Sequence, residues 1–300
     1  MKVIRAGILG FCTGVRRAVD MAWNESVRTN SGGAGKVYTL GPLIHNSGVL
    51  KNLEEQGVII LEEGQFPPSG ENSTVIIRAH GIAPDIEEEL LKRRHRILDA
   101  TCPHVKVSQN KAREFAEKGY WVFLAGEEKH AEIEGIRGYA ETGEAASHTR
   151  KCYIAGSSGE AEKAAEELSR IDGGAKTVLI GQTTISAAEY GAIAEKIRQF
   201  FPSLEVVDTI CGATSDRQES LRELCGKVDA VIVAGGKESS NARRLLSLAR
   251  EKGKPAWLAE TVDDLPSGIL VYQTVGLSAG ASTPDSLIDE IEEKLLMGSR

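Results

Sequence analysis

Three of the five cysteines in this 300-residue chain recur in one setting. Cys12, Cys102 and Cys211 each follow a short apolar run and stand just before a segment with helical spacing, Asp99-Ala100-Thr101-Cys102 and Asp208-Thr209-Ile210-Cys211 being the clearest pair. No C-x-x-C pair occurs, which removes a thioredoxin-like redox site and the paired ligands of a zinc ribbon or finger. A metal site must then be assembled from distant segments. Three thiolates without a fourth suit either a zinc ion with an open position or an iron–sulfur cluster with one iron not bound by protein. The neighbours favour the cluster: histidines are spread singly among Ser, Thr and Asn, a pattern for binding an anion, rather than grouped as zinc ligands. A helix start after each cysteine directs partial positive charge at the centre and stabilises thiolates, with Pro103 at the first helical position and Ser215 and Gln218 in a capping-box pattern. Cys152 and Cys225 read as small buried hydrophobes, Cys225 on a stripe with Leu221 and Leu224.

The surroundings of these cysteines repeat as well. Gly126 lies 24 residues after Cys102 and Gly235 lies 24 after Cys211, so the two stretches share one frame at an offset of 109. The first third fits with an insertion, Cys12 leading through a helix and the Gly-rich stretch 31–36 to Gly41. Four residues past the three glycines come His45, His130 and Ser239, and each third closes on a strand ending in polar groups: His80; Gln182, Thr183 and Thr184; Ser282. Imidazoles, hydroxyls, an amide and helix-start N–H groups suit a phosphate or diphosphate, which gives His45, His80, His130, Ser239, Ser240, Asn241 and Ser282 as its ligands. Neither a P-loop nor a G-x-G-x-x-G fingerprint is present, so a nucleotide cofactor is not indicated. Glu132, two residues after His130, is the natural proton donor, because burial in such a site raises a carboxyl pKa toward neutrality. Glu134 reads as a solvated helix-start acid, and Thr183 and Thr184 are placed to orient a substrate hydroxyl.

The elements that must position these groups are legible in outline. Apolar, β-branched runs at 3–9, 36–41, 74–81, 120–126, 177–182, 230–236 and 269–276 alternate with helical patterns. This predicts an α/β fold with parallel sheets buried on both faces. In such sheets ligands bind outside the carboxyl ends of the strands, where the recurring residues fall. The chain divides into three similar small α/β domains sharing one central site: 1–98 with Cys12, His45 and His80; 99–206 with Cys102, His130, Glu132 and Thr183; and 207–285 with Cys211, Ser239, Asn241 and Ser282. A C-terminal helix and tail, 286–300, follows, and the closing Gly298-Ser299-Arg300 reads as a cloning remnant. The composition, 41% hydrophobic and 26% charged, is that of a soluble globular chain. A net charge of −7 without a long basic run argues against a nucleic-acid partner. No uncharged apolar stretch of about 18 residues occurs, which argues against a membrane span. An odd cysteine count without a secretion signal leads to the expectation of a cytoplasmic protein with reduced thiols.

Nine ordered blocks are recognisable: GFCTGVRRAVD (10–20), GPLIHN (41–46), RAHG (78–81), DATCPHV (99–105), KHAEIEG (129–135), GQTTIS (181–186), DTICGATSDRQ (208–218), ESSNARRL (238–245) and AGAST (279–283). Together they resemble the IspH/LytB family of 4-hydroxy-3-methylbut-2-enyl diphosphate reductases. The resemblance implies a pseudo-threefold trefoil of three α/β domains around a 4Fe-4S cluster held by Cys12, Cys102 and Cys211, whose open iron takes the substrate hydroxyl. It implies that His45, His80, Ser239, Ser240, Asn241 and Ser282 hold the diphosphate, with His130 beside the substrate, Thr183 positioning the hydroxyl and Glu132 delivering protons. The implied activity is reductive dehydroxylation to isopentenyl and dimethylallyl diphosphates, the last step of the non-mevalonate isoprenoid pathway. Electrons would come from ferredoxin or flavodoxin, and Arg16, Arg17, Arg243 and Arg244 are the basic residues available to meet such an acidic carrier. One departure is visible: the family's His-Pro-Glu reads His130-Ala131-Glu132, which loosens that turn and leaves both chemical side chains in place. A zinc-dependent phosphoesterase and a non-catalytic iron–sulfur sensor are the two competing readings.

Overall fold

The computed structural model describes residues 1–298 apart from 33–34, 63, 70–71 and 142–151. The elements begin with β1 (Lys2–Arg5), α1 (Thr13–Asn30), β2 (Val37–Leu40), α2 (Ser47–Glu55), β3 (Val58–Leu61), β4 (Thr74–Ile77), α3 (Pro84–Lys92) and β5 (Arg96–Asp99). The middle holds α4 (Pro103–Glu117), β6 (Trp121–Ala125), α5 (Ala131–Glu141), β7 (Cys152–Ala155), α6 (Ser158–Ile171), β8 (Thr177–Gly181), α7 (Ala187–Arg198) and β9 (Glu205–Val206). The chain ends with α8 (Gly212–Cys225), β10 (Ala230–Ala234), α9 (Ser240–Glu251), β11 (Ala256–Ala259), β12 (Thr274–Ala279) and α10 (Asp285–Met297). Three parallel four-stranded sheets result, as an α/β chain of this pattern predicts, and they share one wiring: β3-β2-β4-β5, β7-β6-β8-β9 and β11-β10-β12-β1.

Two compact units carry them. Met1–Val27, Ile44–Val58 and Gly212–Arg300 form one, built on the β11-β10-β12-β1 sheet; Arg28–Leu43 and Ile59–Cys211 form the other, with the remaining two sheets. Alternation along the central strands fills both faces of a sheet, as period-two side-chain geometry requires. In β6, Trp121, Phe123 and Ala125 join Leu179, Tyr190 and Ile193 on one face, while Val122 and Leu124 join Ile133, Ile136 and Val178 on the other. In β10, Val231 and Val233 meet Leu221, Leu224 and Leu245, while Ile232 and Ala234 meet Val275, Leu277 and Ile288. Phe123 alone, fully buried, contributes about 2 kcal/mol, so a one-residue slip of β6 is strongly disfavoured.

Several expectations shift. The opening strand pairs with β12, from Lys2 opposite Thr274 to Arg5 opposite Leu277, and so completes the sheet of the last third. Arg5 also reaches Asp289 and Glu292 of α10 at 2.7 and 2.5 Å. The run at 3–9 stops as a strand at Arg5, and Gly10 turns the backbone with φ of 79°. The run at 269–276 is split: Ser267–Val271 winds as a 3-10 helix, and the strand occupies Thr274–Ala279. Only Ile269 of that first part is buried, while Val271 is 78% exposed, so the segment lacks the two covered faces a central strand needs. Ser215 lies inside α8, which starts at Gly212, and therefore caps nothing; a capping box forms instead between Ser186 and Glu189 at α7. Cys152 opens β7 and Cys225 ends α8, both buried, and burial pushes the Cys225 thiol up. Gly33 and Ala34 of the Gly-rich stretch, and Ser299 and Arg300 of the tail, lie outside the described residues. Among the described residues no helix is long and apolar enough to cross a membrane.

Candidate functional site

The three cysteines Cys12, Cys102 and Cys211 are placed by one repeated device. Cys12 N–H donates to Ala281 O at 3.1 Å, Cys102 N–H to Ala79 O at 2.9 Å and Cys211 N–H to Thr183 O at 2.9 Å. Each acceptor stands two residues past a strand, β12, β4 or β8, and a helix begins at the residue after each cysteine. The glycines repeat in the same way: Gly41, Gly126 and Gly235, one residue past β2, β6 and β10, donate to the last residues of β3, β7 and β11 at 3.0, 3.0 and 2.8 Å. The shared frame seen in the sequence is therefore a shared hydrogen-bond pattern. All three cysteines are partly exposed and in no disulfide. Cys12 Sγ accepts the Val15 N–H at 3.4 Å, and Cys102 is the N-cap of α4 with Pro103 in the first turn. A helix N-terminus directs partial positive charge at such a sulfur.

Two residues without an assigned role hold these segments. Buried Arg217 donates to Gly10 O at 2.6 Å and Ala213 O at 2.7 Å, tying the loop before Cys12 to α8. Thr209 Oγ1 accepts the Gly181 N–H at 2.8 Å and donates to Gly181 O at 2.9 Å, fixing the approach to Cys211 against the end of β8. The one sequence signal for Arg217 was its place on the apolar stripe of Leu221 and Leu224.

In the unit containing β6 and β8, Glu132 is the second residue of α5 and only 2% exposed. Its Oε1 accepts the Thr183 N–H at 2.6 Å, and its Oε2 accepts the Thr183 hydroxyl at 2.9 Å. Burial drives the carboxyl from 4.5 up to about 7, against the opposing pull of the two Thr183 bonds. That value suits a general acid at neutral pH. His130 caps α5: its O accepts the Glu134 N–H at 3.0 Å and its Nδ1 accepts the Glu132 N–H at 3.2 Å. An Nδ1 held as acceptor puts the neutral ring's proton on Nε2. His80 meets His130 edge-on, with ring centroids 5.2 Å apart. Thr184 accepts from Gln182 Nε2 at 3.1 Å, and Glu134 is half-buried.

In the other unit, α9 begins beside a polar cluster. Ser239 caps the helix, its Oγ accepting the Ala242 N–H at 3.4 Å, and Ser240 Oγ accepts from Arg243 Nη2 at 3.3 Å. Asn241 is 4% exposed, and neither end of its amide has a partner among the described residues. Leaving such groups unbonded costs about 1–3 kcal/mol each, so the arrangement suits a polar ligand. Ser282 Oγ donates to His45 O at 3.1 Å, and a Cβ at Gly236 would stand 2.6 Å from that same oxygen, which is why glycine sits there. Asn46 then caps α2 by accepting the Val49 N–H at 3.0 Å, fixing the residue after His45. Of the basic residues, Arg16 pairs with Asp285 at 3.3 Å and Arg243 with Glu238 at 3.9 Å.

The sequence model of the LytB protein family matches residues 3–296. A 4-hydroxy-3-methylbut-2-enyl diphosphate reductase of Treponema denticola is 43% identical, covering 99% of this chain and 100% of the relative. A reductase of the same name from Aquifex aeolicus is 36% identical over 98% of this chain and 95% of its own. Among solved structures, the E-1-hydroxy-2-methyl-but-2-enyl-4-diphosphate reductase from Plasmodium falciparum aligns with a TM-score of 0.86 at 29% identity, over 97% of this chain and 87% of that one. A second, described as (E)-4-hydroxy-3-methyl-but-2-enyl diphosphate reductase, the terminal enzyme of the non-mevalonate pathway, aligns at 0.68 with 34% identity over 99% and 100%. Matches that run nearly end to end, through every cysteine repeat and both polar clusters, make this chain a member of the LytB family.

Proposed function

We propose that the chain reductively removes the hydroxyl of 4-hydroxy-3-methylbut-2-enyl diphosphate, consuming two electrons and two protons and releasing water with isopentenyl or dimethylallyl diphosphate. Its relatives carry that reductase name. The observation in this chain that carries the reading is the buried Glu132 carboxyl, raised to about 7 and held by Thr183. The family is one of iron–sulfur enzymes. The residues present fit such a group: three partly exposed cysteines in no disulfide, each on the same strand-end scaffold and each at a helix start, are good thiolate donors. In this reading Cys12, Cys102 and Cys211 hold one 4Fe-4S cluster with one iron open. When bound, the cluster would supply electrons and a Lewis-acidic iron.

The chain's own groups do the rest. His45, His80, His130, Ser239, Ser240, Asn241 and Ser282, with the first N–H groups of α9, take the diphosphate. Asn241 has the strongest support, since both of its amide atoms are buried and unpaired among the described residues. Ser239 accepts its cap bond through Oγ and keeps its O–H to donate, whereas the Ser282 hydroxyl must turn away from His45 O to do so. The Thr183 hydroxyl positions the leaving group, and Glu132, protonated below about pH 7, delivers the proton that departs in water. A ferredoxin or flavodoxin supplies the electrons, and reduced thiols around a cluster are in keeping with a cytoplasmic enzyme.

Anaerobic purification with iron, sulfide and zinc analysis tests the reading. A brown protein with stoichiometric iron and sulfide that turns over the allylic diphosphate with a strong reductant is expected. A colourless zinc protein would make it a phosphoesterase, and a brown protein without turnover a sensor. Glu132→Gln is expected to keep the cluster and substrate affinity and to lose at least about 100-fold in kcat.

A further inference from the structure

We infer that Gln182 is a positioning residue for the proton donor: its carboxamide locks the turn carrying His130 and Glu132 onto the strand end carrying Thr183. The inference rests on the reading of Glu132 given above. Gln182 is 0% exposed, one residue past β8. Its Oε1 accepts the Glu127 N–H at 3.1 Å, its Nε2 donates to Thr184 Oγ1 at 3.1 Å, and its own N–H donates to Ala125 O at 2.8 Å. The approach is close, since a Cβ on Gly126 would stand 2.7 Å from Oε1.

Both ends of that amide lead to Glu132. Glu127 opens the turn closed by His130 N–H on Glu127 O at 2.9 Å, and His130 Nδ1 then holds the Glu132 N–H at 3.2 Å. On the other side Thr183, bracketed between Gln182 and Thr184, turns its N–H and hydroxyl onto the carboxyl at 2.6 and 2.9 Å. The repeat does not demand an amide here. One residue past the corresponding strands β4 and β12 stand Arg78 and Gly280, so the amide belongs to the sheet whose repeat carries Glu132. An apolar residue of the same volume would fill the space without polar ends that need partners, so a filler role leaves the amide unexplained.

Gln182→Met keeps the volume and removes both polar ends; Gln182→Glu keeps the acceptor and, protonated, the donor. Gln182→Met is expected to keep the cluster absorbance and a KM within about threefold, and to lower kcat about 10- to 100-fold. The pH at which kcat falls should move up by about one unit, because the Thr183 donors that hold Glu132 down are no longer aimed at it. Gln182→Glu should recover most of kcat. His130 accepts the Glu132 N–H, and His80 meets the His130 ring edge-on, so the assignment is read from the Glu132 carboxyl band in an infrared titration of the cluster-loaded protein, identified by its loss in Glu132→Gln. An unmoved band and wild-type kcat in Gln182→Met overturn the positioning role. Turnover retained in Glu132→Gln overturns the reading of Glu132 instead. If Gln182→Met does not fold, Thr184→Val removes one of the two bonds at a half-buried position; an unmoved band there also overturns the proposal, and a smaller upward shift supports it.

Discussion

A carboxyl that is 2% exposed and bonded to a single threonine behaves unlike one in water. Glu132 has a folded pKa of about 7 against an ordinary 4.5, so the native chain holds a proton that the unfolded chain releases. The stability this group contributes is present below the unfolded value and lost as pH rises through about 7, by about 3 kcal/mol in metal-free protein. Melting of metal-free protein should therefore fall between about pH 5 and pH 8, and Glu132→Gln should flatten the fall; equal slopes would contradict the assignment. With Glu132 as the proposed donor, the same titration is expected to set the alkaline limb of kcat, since only the protonated form can donate. The sequence disclosed Glu132, His130 and Thr183 because their types carry chemistry and their spacing repeats. It did not disclose what Arg217, Thr209 and Gln182 do, although Gln182 stood out as a polar strand end and Arg217 fell on an apolar stripe, because each bonds main-chain groups, those of Gly10 and Ala213, Gly181 and Glu127, and sequence spacing does not show such bonds.

At the scale of elements, strands buried on both faces announced themselves and most edge strands did not, β1 being caught within the run at 3–9. β6, β8 and β10 are continuous apolar runs, whereas β3, β5, β7, β9 and β11 have four residues or fewer and mixed exposure, a pattern that many loops share. Helix starts were legible after all three cysteines, with proline marking that of α4, but the capping box expected of Ser215 and Gln218 is absent because α8 already starts at Gly212. The start of α5 carries a prediction of its own. Ala131 is its first residue, after a His130 whose O accepts the first helical bond, so a proline ring fits without losing an intrahelical donor. Ala131→Pro is expected to stabilise the chain by about 0.5–1 kcal/mol, chiefly by restricting the unfolded state. A lower melting temperature would show that the turn at His130 needs the freedom alanine allows.

Across the whole molecule, one wiring occurs three times and sets one cysteine at the same strand-end carbonyl each time. The repeat was visible as an offset of 109 residues, but β1 broke the expected division, because a strand's partner is fixed by pairing and not by its nearest neighbour in sequence. Deleting residues 1–5 should uncover the edge of β12, remove the Arg5 contacts to Asp289 and Glu292, and lower both the melting temperature and the iron retained after anaerobic gel filtration. Iron content equal to the full chain's would count against that link. The pairing of the first strand with the last also orders events in time. Cys12 leaves the ribosome before Cys102 and Cys211, yet its N–H finds Ala281 O only after residue 281 has been made. Cys102 and Cys211 have their carbonyl anchors, Ala79 and Thr183, upstream and already made. The earliest thiol is thus the last one seated, so a cofactor needing all three waits until residue 281 is made, and a chain cut short before it never sets Cys12 in place.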